Sequence, residues 1–471
     1  MAEQTKTKLA VIGAGPGGYA AAFLAADLGI DVTLIDEEAN PGGVCLYRGC
    51  IPSKALLHAA KVITDAREAA NFGVKFSDPQ IDLDRLRSWK DSVVKKMTGG
   101  LGQLSTARKV RYLQGRASLL DSHSLEVKGK KGTQSIAFEN AILATGSRPA
   151  TLSNLDLNSE RIWDSTAALD LPFVPKSLLV VGGGYIGLEL GQVYAALGSK
   201  VTVVEMMPSL LPGVDADLVQ HLHKRLEKQF VSIRLNTKVA SAKEEKNGIK
   251  IKFEGEGAGK EEIFEAVLIA VGRKPNGDIP GLEKTKVKRS PRGHIEVDPQ
   301  RRTAEPAIFA IGDVAGEPML AHKASHEGRL AVEVIHGSKA HFEPLAIPAV
   351  VFTDPEIAWC GLTEAQAKEQ KREVKIARFP WAASGRATTL DRTDGVTKLI
   401  LDAETEQILG VGIAGPGAGE LIAEGVLAVE MGALAKDLAL CIHPHPTLSE
   451  TLMEAAETLY GTSTHIYRPK K

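Results

Sequence analysis

Lys8-Leu9-Ala10-Val11-Ile12-Gly13-Ala14-Gly15-Pro16-Gly17-Gly18 runs a short apolar segment straight into a glycine loop. The apolar run reads as a strand buried in a parallel sheet. Residues 17–28 then carry small and apolar side chains at helical spacing, and Asp31 to Asp36 reads as a second strand ending in an acid. The plan returns further on. Ser177 to Val181 is apolar, Gly182-Gly183-Gly184-Tyr185-Ile186-Gly187 is a second loop, a helix continues to Leu197, and Lys200 to Glu205 again ends in an acid.

A single GxGxxG is weak, because glycines collect in many turns. Two of them, each between an apolar strand and a helix, form an internal βαβ repeat. Gly13, Gly15 and Gly18, and again Gly182, Gly184 and Gly187, let backbone amides approach a pyrophosphate at a helix N-terminus. Asp36 and Glu205 follow at matching offsets and suit an adenosine ribose hydroxyl. The expected fold is therefore α/β, with two Rossmann-like dinucleotide-binding domains. Glu205 would repel a 2′-phosphate, and Met206 to Pro212 holds no Arg or Lys to receive one. NAD is expected there over NADP.

Between the first loop and the next helical stretch lies Gly42-Gly43-Val44-Cys45-Leu46-Tyr47-Arg48-Gly49-Cys50-Ile51-Pro52-Ser53-Lys54. A thiol pair this close to a dinucleotide loop suggests electrons moving between sulfur and a redox ring. On a regular helix the five steps from Cys45 to Cys50 would span roughly 7.5 Å, beyond the roughly 7 Å Cα separation a disulfide tolerates. If the two bond, the backbone between them is irregular, and Gly49 permits that. The alternatives are two buried thiols or half of a metal site. CxxxxC lacks the usual zinc spacing, Cys360 and Cys441 are single and distant, and both read as core cysteines. No metal is expected. Two dinucleotide sites with a dithiol imply two cofactors, one of them a flavin, since a thiolate does not ordinarily reduce nicotinamide directly.

At 471 residues the chain exceeds one core and should divide into two to four domains. A formal net charge of −1 gives no global field for nucleic acid or anionic membrane, and the basic end, Tyr467 to Lys471, reads as a solvated tail. With only four cysteines, a reducing compartment is expected. Residues 1–8 lack a secretory or transit signal, and no apolar stretch is long enough to span a membrane. The expected location is the cytoplasm; a mitochondrial matrix protein would require a transit peptide already removed.

A helical stretch is expected over about 54–105, then an apolar run ending in Ala144-Thr145-Gly146-Ser147-Arg148-Pro149. Leu268-Ile269-Ala270-Val271-Gly272-Arg273-Lys274-Pro275-Asn276 ends the second copy the same way, so the two strings read as matching exits from two dinucleotide domains. Ala310-Ile311-Gly312-Asp313 ends another strand. From about 347, short strands and turns lead to helices at 418–431 and 447–459. There His443-Pro444-His445-Pro446-Thr447-Leu448-Ser449-Glu450 reads as a helix start, with Thr447 and Glu450 in a capping box. That explains Glu450 but not a histidine just before the helix, and substrate thiols need a base near neutral pH.

On these strings, with RIWDST, FAIGDV, PMLAHKASHEG, TDPEIAWCGLTE and FPWAASGRA, the chain resembles the flavoprotein disulfide reductases along its whole length. HPTLSE together with Glu205 points to the branch that oxidises dihydrolipoyl groups. The resemblance implies an FAD domain (1–150), an NAD domain (151–280), a central domain completing the FAD site (281–346) and a C-terminal α+β dimerisation domain (347–471). It implies a homodimer whose active site combines His445 of one subunit with the cysteines of the other, Glu450 orienting the histidine. Cys45 would be the interchange thiol and Cys50 the thiolate against the flavin. Lys54 and Glu189 would pair near flavin N5, Asp313 would hold the ribityl chain, and Ala321 would open a helix toward the pyrimidine ring. Ala117, Thr145 and Gly146 resemble further FAD contacts, and Val239, Ala270, Gly272 and Arg273 the NAD contacts.

The resemblance also implies partners: lipoyl domains of 2-oxoacid dehydrogenase complexes, or the lipoyl carrier of glycine cleavage. The chain starts almost at its first strand, so the lipoyl group is expected to arrive on another protein. Three positions depart from the family pattern: Tyr47 and Arg48, where Asn and a small apolar residue are usual, and Pro444. Other readings are a different disulfide or a metal ion as substrate, and a docked subunit organising an assembly. Residues 451–471 contain no cysteine pair of the mercuric reductase kind, and Glu205 opposes the NADPH of glutathione reductases.

Overall fold

The computed structural model describes residues 5–130 and 132–467. Residues 1–4 and the basic 468–471 of the expected tail lie outside the described residues.

The first glycine loop sits where the sequence puts it. Strand Thr5–Ile12 enters it and helix Pro16–Asp27 leaves it. Strand Thr5–Ile12 pairs in parallel with Val32–Asp36 and with Gly132–Leu143, and Val32–Asp36 pairs with Arg111–Gln114. Two antiparallel strands, Ser124–Gly129 and Arg116–Leu119, extend the sheet on its other side. Ile308–Ala310, from the expected central domain, pairs in parallel with Ala141–Leu143. The sheet of the first dinucleotide domain is thus completed by chain from beyond the second.

The second copy is a parallel sheet in the order Ser232–Arg234, Lys200–Val204, Ser177–Val181, Ala266–Ile269, Ile162–Trp163. A three-stranded antiparallel sheet, Thr237–Glu245, Gly248–Gly255 and Glu262–Phe264, packs beside it. The two exit strings pair with each other: Ser147–Pro149 lies antiparallel to Arg273–Pro275. The C-terminal part is a five-stranded antiparallel sheet bearing helices Ala418–Glu430 and Glu450–Tyr460.

The helical stretch expected over about 54–105 consists of two helices, Cys50–Glu68 and Leu83–Ala107, separated by a short turn and irregular chain. Gly73 has φ +93° and Pro79 follows, so the backbone between them cannot continue a helix. The final helix begins at Glu450, two positions later than a capping box with Thr447 as N-cap predicts. Thr447 Oγ1 donates to the Pro444 carbonyl instead of accepting from the helix.

Glycine is required where helix Pro16–Asp27 crosses helix Ala321–Ile335. A Cβ on Gly17 would meet the Ala324 carbonyl oxygen at 2.9 Å, and one on Gly328 the Gly17 oxygen at 2.4 Å. Close backbone contact there brings both helix N-termini to the same cavity.

Candidate active site

Helix Gly43–Arg48 carries Cys45, and helix Cys50–Glu68 begins at the second cysteine. Gly49 breaks the helix between them, with φ −145° and ψ −116°. A Cβ there would meet the Val44 carbonyl oxygen at 2.9 Å and Cys45 Cα at 3.3 Å. The irregular step that a Cys45–Cys50 bond demands is therefore built in.

In the reduced state the thiols are unequal. Cys50 is lowered to about 7, chiefly by a hydrogen bond from Cys45, and the Lys54 charge adds to this against burial and Glu189. Cys45 is pushed far up by donating that bond and by burial. Cys50 also heads a helix of 19 residues, whose N-terminal dipole favours a thiolate. Cys360 is buried in the C-terminal core, where desolvation raises it to about 12. Cys441, expected in the core, is exposed instead. It caps the short helix Ala435–Leu440 on the domain surface, between exposed Leu440 and Ile442.

Both cysteines line a cavity of about 470 Å³. Around it stand Gly13, Gly15, Asp36, Lys54, Thr145, Gly146, Glu189, Arg273, Asp313 and Ala321. A neighbouring cavity of about 500 Å³ shares Gly13, Asp36 and Thr145 with it and reaches Ala117. These walls fit an extended dinucleotide. A Cβ built on Gly15 meets only Gly43 Cα at 3.9 Å, and one on Gly146 meets nothing within 4 Å, so backbone faces open space. Helices Pro16–Asp27 and Ala321–Ile335 both start at the cavity wall with no side-chain cap, leaving N–H groups for an anionic or polar ligand.

Lys54 Nζ donates to Glu189 Oε2 at 2.8 Å, and Ser53 Oγ donates to the same oxygen at 2.9 Å. The Phe352 amide donates to Glu189 Oε1 at 3.0 Å. Ser53 lies in the cysteine string with no role assigned to it and Phe352 lies outside every quoted string; only the folded chain brings them here. Asp313 Oδ2 accepts from Ser147 Oγ at 2.5 Å, and Arg273, grouped by sequence with the NAD contacts, donates to Ser147 Oγ and to its carbonyl at 2.7 Å. Arg273 therefore stands on the wall of the first cavity.

The repeat is also visible in its acids. Asp36 Oδ2 accepts from the Ala14 amide at 2.6 Å, and Glu205 Oε2 from the equivalent Gly183 amide at 2.7 Å. Glu205 Oε1 takes the Met207 amide at 2.8 Å. Gly184 caps helix Tyr185–Leu197 with open space before it, while a Cβ on Gly187 would meet the Gly182 oxygen at 2.4 Å. Gly272 has φ +105°, the Ala270 amide donates to Val181, and Val239 packs with Val181, Val204 and Ile269.

His445 is not in the cysteine cavity. It lies exposed on the C-terminal part, Nδ1 2.9 Å from Glu450 Oε1, and Glu450 Oε2 accepts from the Thr447 amide at 2.7 Å. Burial raises the Glu450 carboxyl, but the Thr447 and His445 bonds outweigh it and hold it below its usual value. His443 is paired separately, its Nε2 2.8 Å from Glu424 Oε1. Among the described residues no histidine lines the cavity of Cys45 and Cys50.

Residues 7–328 match the family described as pyridine nucleotide-disulphide oxidoreductase, and residues 347–456 match its dimerisation domain. The chain belongs to this family. It is a flavoprotein oxidoreductase that uses FAD and NAD, and it carries the domain through which such chains form homodimers. It is 48% identical to a dihydrolipoyl dehydrogenase of Haemophilus influenzae, over 100% of this chain and 98% of that one. It is also 48% identical to a dihydrolipoyl dehydrogenase of Geobacillus stearothermophilus, over 98% of each. Among solved structures, LpdA of Mycobacterium tuberculosis superposes with a TM-score of 0.89 at 26% identity, covering 96% of this chain and 99% of that one. The copper(II) complex of the flavoprotein disulfide reductase RclA of Escherichia coli gives 0.87 at 28%, covering 97% and 100%. No helix among the described residues is long and apolar enough to cross a membrane.

Proposed function

We propose that this pyridine nucleotide-disulphide oxidoreductase oxidises protein-bound dihydrolipoyl groups to lipoyl and reduces NAD. It would do so as a cytoplasmic homodimer serving 2-oxoacid dehydrogenase or glycine cleavage complexes. The observation carrying the reading is the division of labour between the unequal cysteine pair in the dinucleotide cavity and the His445–Glu450 pair outside it. The second subunit supplies the base that one chain's cavity lacks. The proposed divisions are 1–150 for FAD, 151–280 for NAD, 281–346 completing the FAD site and 347–471 for dimerisation. The pairing of Ile308–Ala310 into the first sheet supports the third.

His445 Nε2 takes the proton of one dihydrolipoyl thiol, while Glu450 on Nδ1 fixes the tautomer and stabilises the imidazolium. The resulting thiolate attacks Cys45 Sγ. The Cys45–Cys50 bond breaks and its electron pair leaves on Cys50 Sγ, which the helix N-terminus and Lys54 favour as thiolate. The second substrate thiol attacks the substrate sulfur bonded to Cys45, and its proton passes to the departing Cys45 sulfur. Oxidised lipoyl leaves, Cys45 keeps the electron pair of the broken bond as a thiol, and the first proton stays on His445 for release to solvent. Bound FAD supplies a two-electron acceptor for the Cys50 thiolate and a hydride donor to NAD. Gly13, Gly15, Asp36, Ala117, Thr145, Gly146, Asp313 and Ala321 would hold FAD. Gly182, Gly184, Glu205, Val239, Ala270 and Gly272 would hold NAD.

Anaerobic reduction of the purified protein by dihydrolipoamide, followed by NAD or NADP, tests this. A long-wavelength thiolate-to-flavin band and rapid NADH formation, without NADPH, is the expected result. Reduction by NADH with no response to dihydrolipoamide would overturn it.

A further inference from the structure

The two residues of the cysteine loop that depart from the family pattern turn out to act together. Arg48 Nη2 donates to Glu38 Oε1. Tyr47 Oη donates to the Asn40 carbonyl at 3.1 Å and accepts from the Asn40 amide at 3.3 Å. Both therefore reach back to one segment, Glu37–Asn40, directly after the acid Asp36.

That segment is tied down on every other side. The Glu38 amide donates to Asp36 Oδ1 at 2.9 Å, and the Glu38 and Glu37 carbonyls accept from Tyr112 and Gln114, each at 3.0 Å. A Cβ on Gly102 would meet Asn40 Oδ1 at 2.2 Å, so helix Leu83–Ala107 closes the back. The free side faces the dinucleotide cavity, whose wall includes Asp36, Glu37, Glu38 and Arg48. Glu38 takes the Arg48 guanidinium as its ion-pair partner. Arg48 fastens the cysteine-bearing helix to that segment.

We infer that Arg48 and Glu38 are cofactor-positioning residues. Their ion pair joins the helix carrying Cys45 to the loop after Asp36, across the wall of the FAD cavity, and so slows FAD loss. The pair is partly exposed, with side-chain exposures of 41% and 28%, so salt should weaken it. The Tyr47 hydrogen bonds are uncharged and would leave a salt-independent remainder. The inference rests on FAD occupying this cavity.

The test follows FAD release from the holoenzyme by the rise of flavin fluorescence after dilution, at low and high salt. R48M and E38Q should each release FAD about fivefold faster than the parent at low salt, the scale of one partly exposed pair. The double variant should be no faster than either single one. The R48K variant should recover much of the retention, and high salt should speed the parent but not R48M. Equal release from R48M and the parent, or additive effects in the double variant, would overturn the pairing role. Dimer size and circular dichroism of each variant identify misfolding, and then the parent's salt dependence alone decides: a salt-insensitive rate overturns the inference. A parent that binds no FAD would instead refute the cavity assignment beneath it.

Discussion

Lys54 pairs with Glu189 at 2.8 Å while its ammonium stands 4.5 Å from the centroid of the Phe352 ring. The three residues come from the helix after Cys50, the helix after the second glycine loop, and the C-terminal part, so the pair locks three regions beside the cysteines. Lys54 lowers Cys50 and Glu189 raises it. K54M should therefore raise the Cys50 value above about 7, by about one unit for loss of a nearby opposite charge. E189Q should lower it. Titration of thiolate absorbance in the reduced protein reads both shifts, and movement in the same direction would contradict the geometry.

The His445–Glu450 pair makes a different demand on pH. The carboxylate stays ionised through the neutral range, because its bonds to Thr447 and His445 outweigh burial. H445Q should cut kcat with dihydrolipoamide by roughly 10²–10⁴, the usual contribution of a positioned general base. E450Q should cost less, since His445 keeps its proton-accepting Nε2 and loses only the charged partner that orients it through Nδ1. NADH formation across pH 5–9 checks both variants.

The two βαβ units were legible because strand, glycine loop, helix and acid are contiguous, and each carries its own local chemistry. Ser177–Val181 matches the predicted strand end to end, and Pro16–Asp27 lies one position from its predicted start. Contacts between distant segments were not legible. Ile308–Ala310 is too short to carry a period, so its pairing with Gly132–Leu143 had no sequence signal. The two exit strings looked alike, but nothing local says they pair antiparallel. Cys441 read as a core cysteine because it stands single and distant from the pair, which says nothing of burial; it lies between exposed Leu440 and Ile442 on the dimerisation domain. In the site, Cys45, Cys50 and His445 carried their chemistry in their residue types, while Lys54 and Glu189 were reached only through the family resemblance. Ser53, Ser147 and Phe352 contribute ordinary hydrogen bonds that only folding aims.

Lys398 is fully buried, with Nζ 2.6 Å from Asp215, 2.7 Å from Asp217 and 2.9 Å from Glu364. These three acids offer the geometry of a cation site, but the ammonium occupies their centre. The cluster clamps the second dinucleotide domain to the C-terminal part. K398M would strand the carboxylates and should cost about 3–5 kcal/mol in urea unfolding. Burial raises the Asp217 carboxyl, but Lys398 and Arg378 outweigh it and hold it low. A lowered folded value stabilises above the unfolded one, so this contribution is complete above roughly pH 4 and fades as pH falls through the folded value. Acid should therefore erode the parent more steeply than K398M, and unfolding curves from pH 3 to 7 compare them.

Glu205 has two tasks that substitution can separate. Its two oxygens hold the Gly183 and Met207 amides at 2.7 and 2.8 Å, fixing the loop before helix Tyr185–Leu197. In the proposed NAD site its negative charge would also repel a dinucleotide 2′-phosphate. E205Q keeps one amide acceptor and removes the charge, but its NH₂ faces a second amide donor and loses that bond. NAD should therefore bind more weakly through the disturbed loop, while NADP gains from the lost repulsion. The NADP-to-NAD ratio of kcat/KM should rise by about tenfold, equivalent to about 1.4 kcal/mol. E205R adds a cation for the phosphate and should raise the ratio further, though both loop bonds go. Steady-state rates with dihydrolipoamide and each nucleotide decide it. A ratio unchanged in both variants would mean that the discrimination lies elsewhere, and would leave Glu205 only its role in holding the loop.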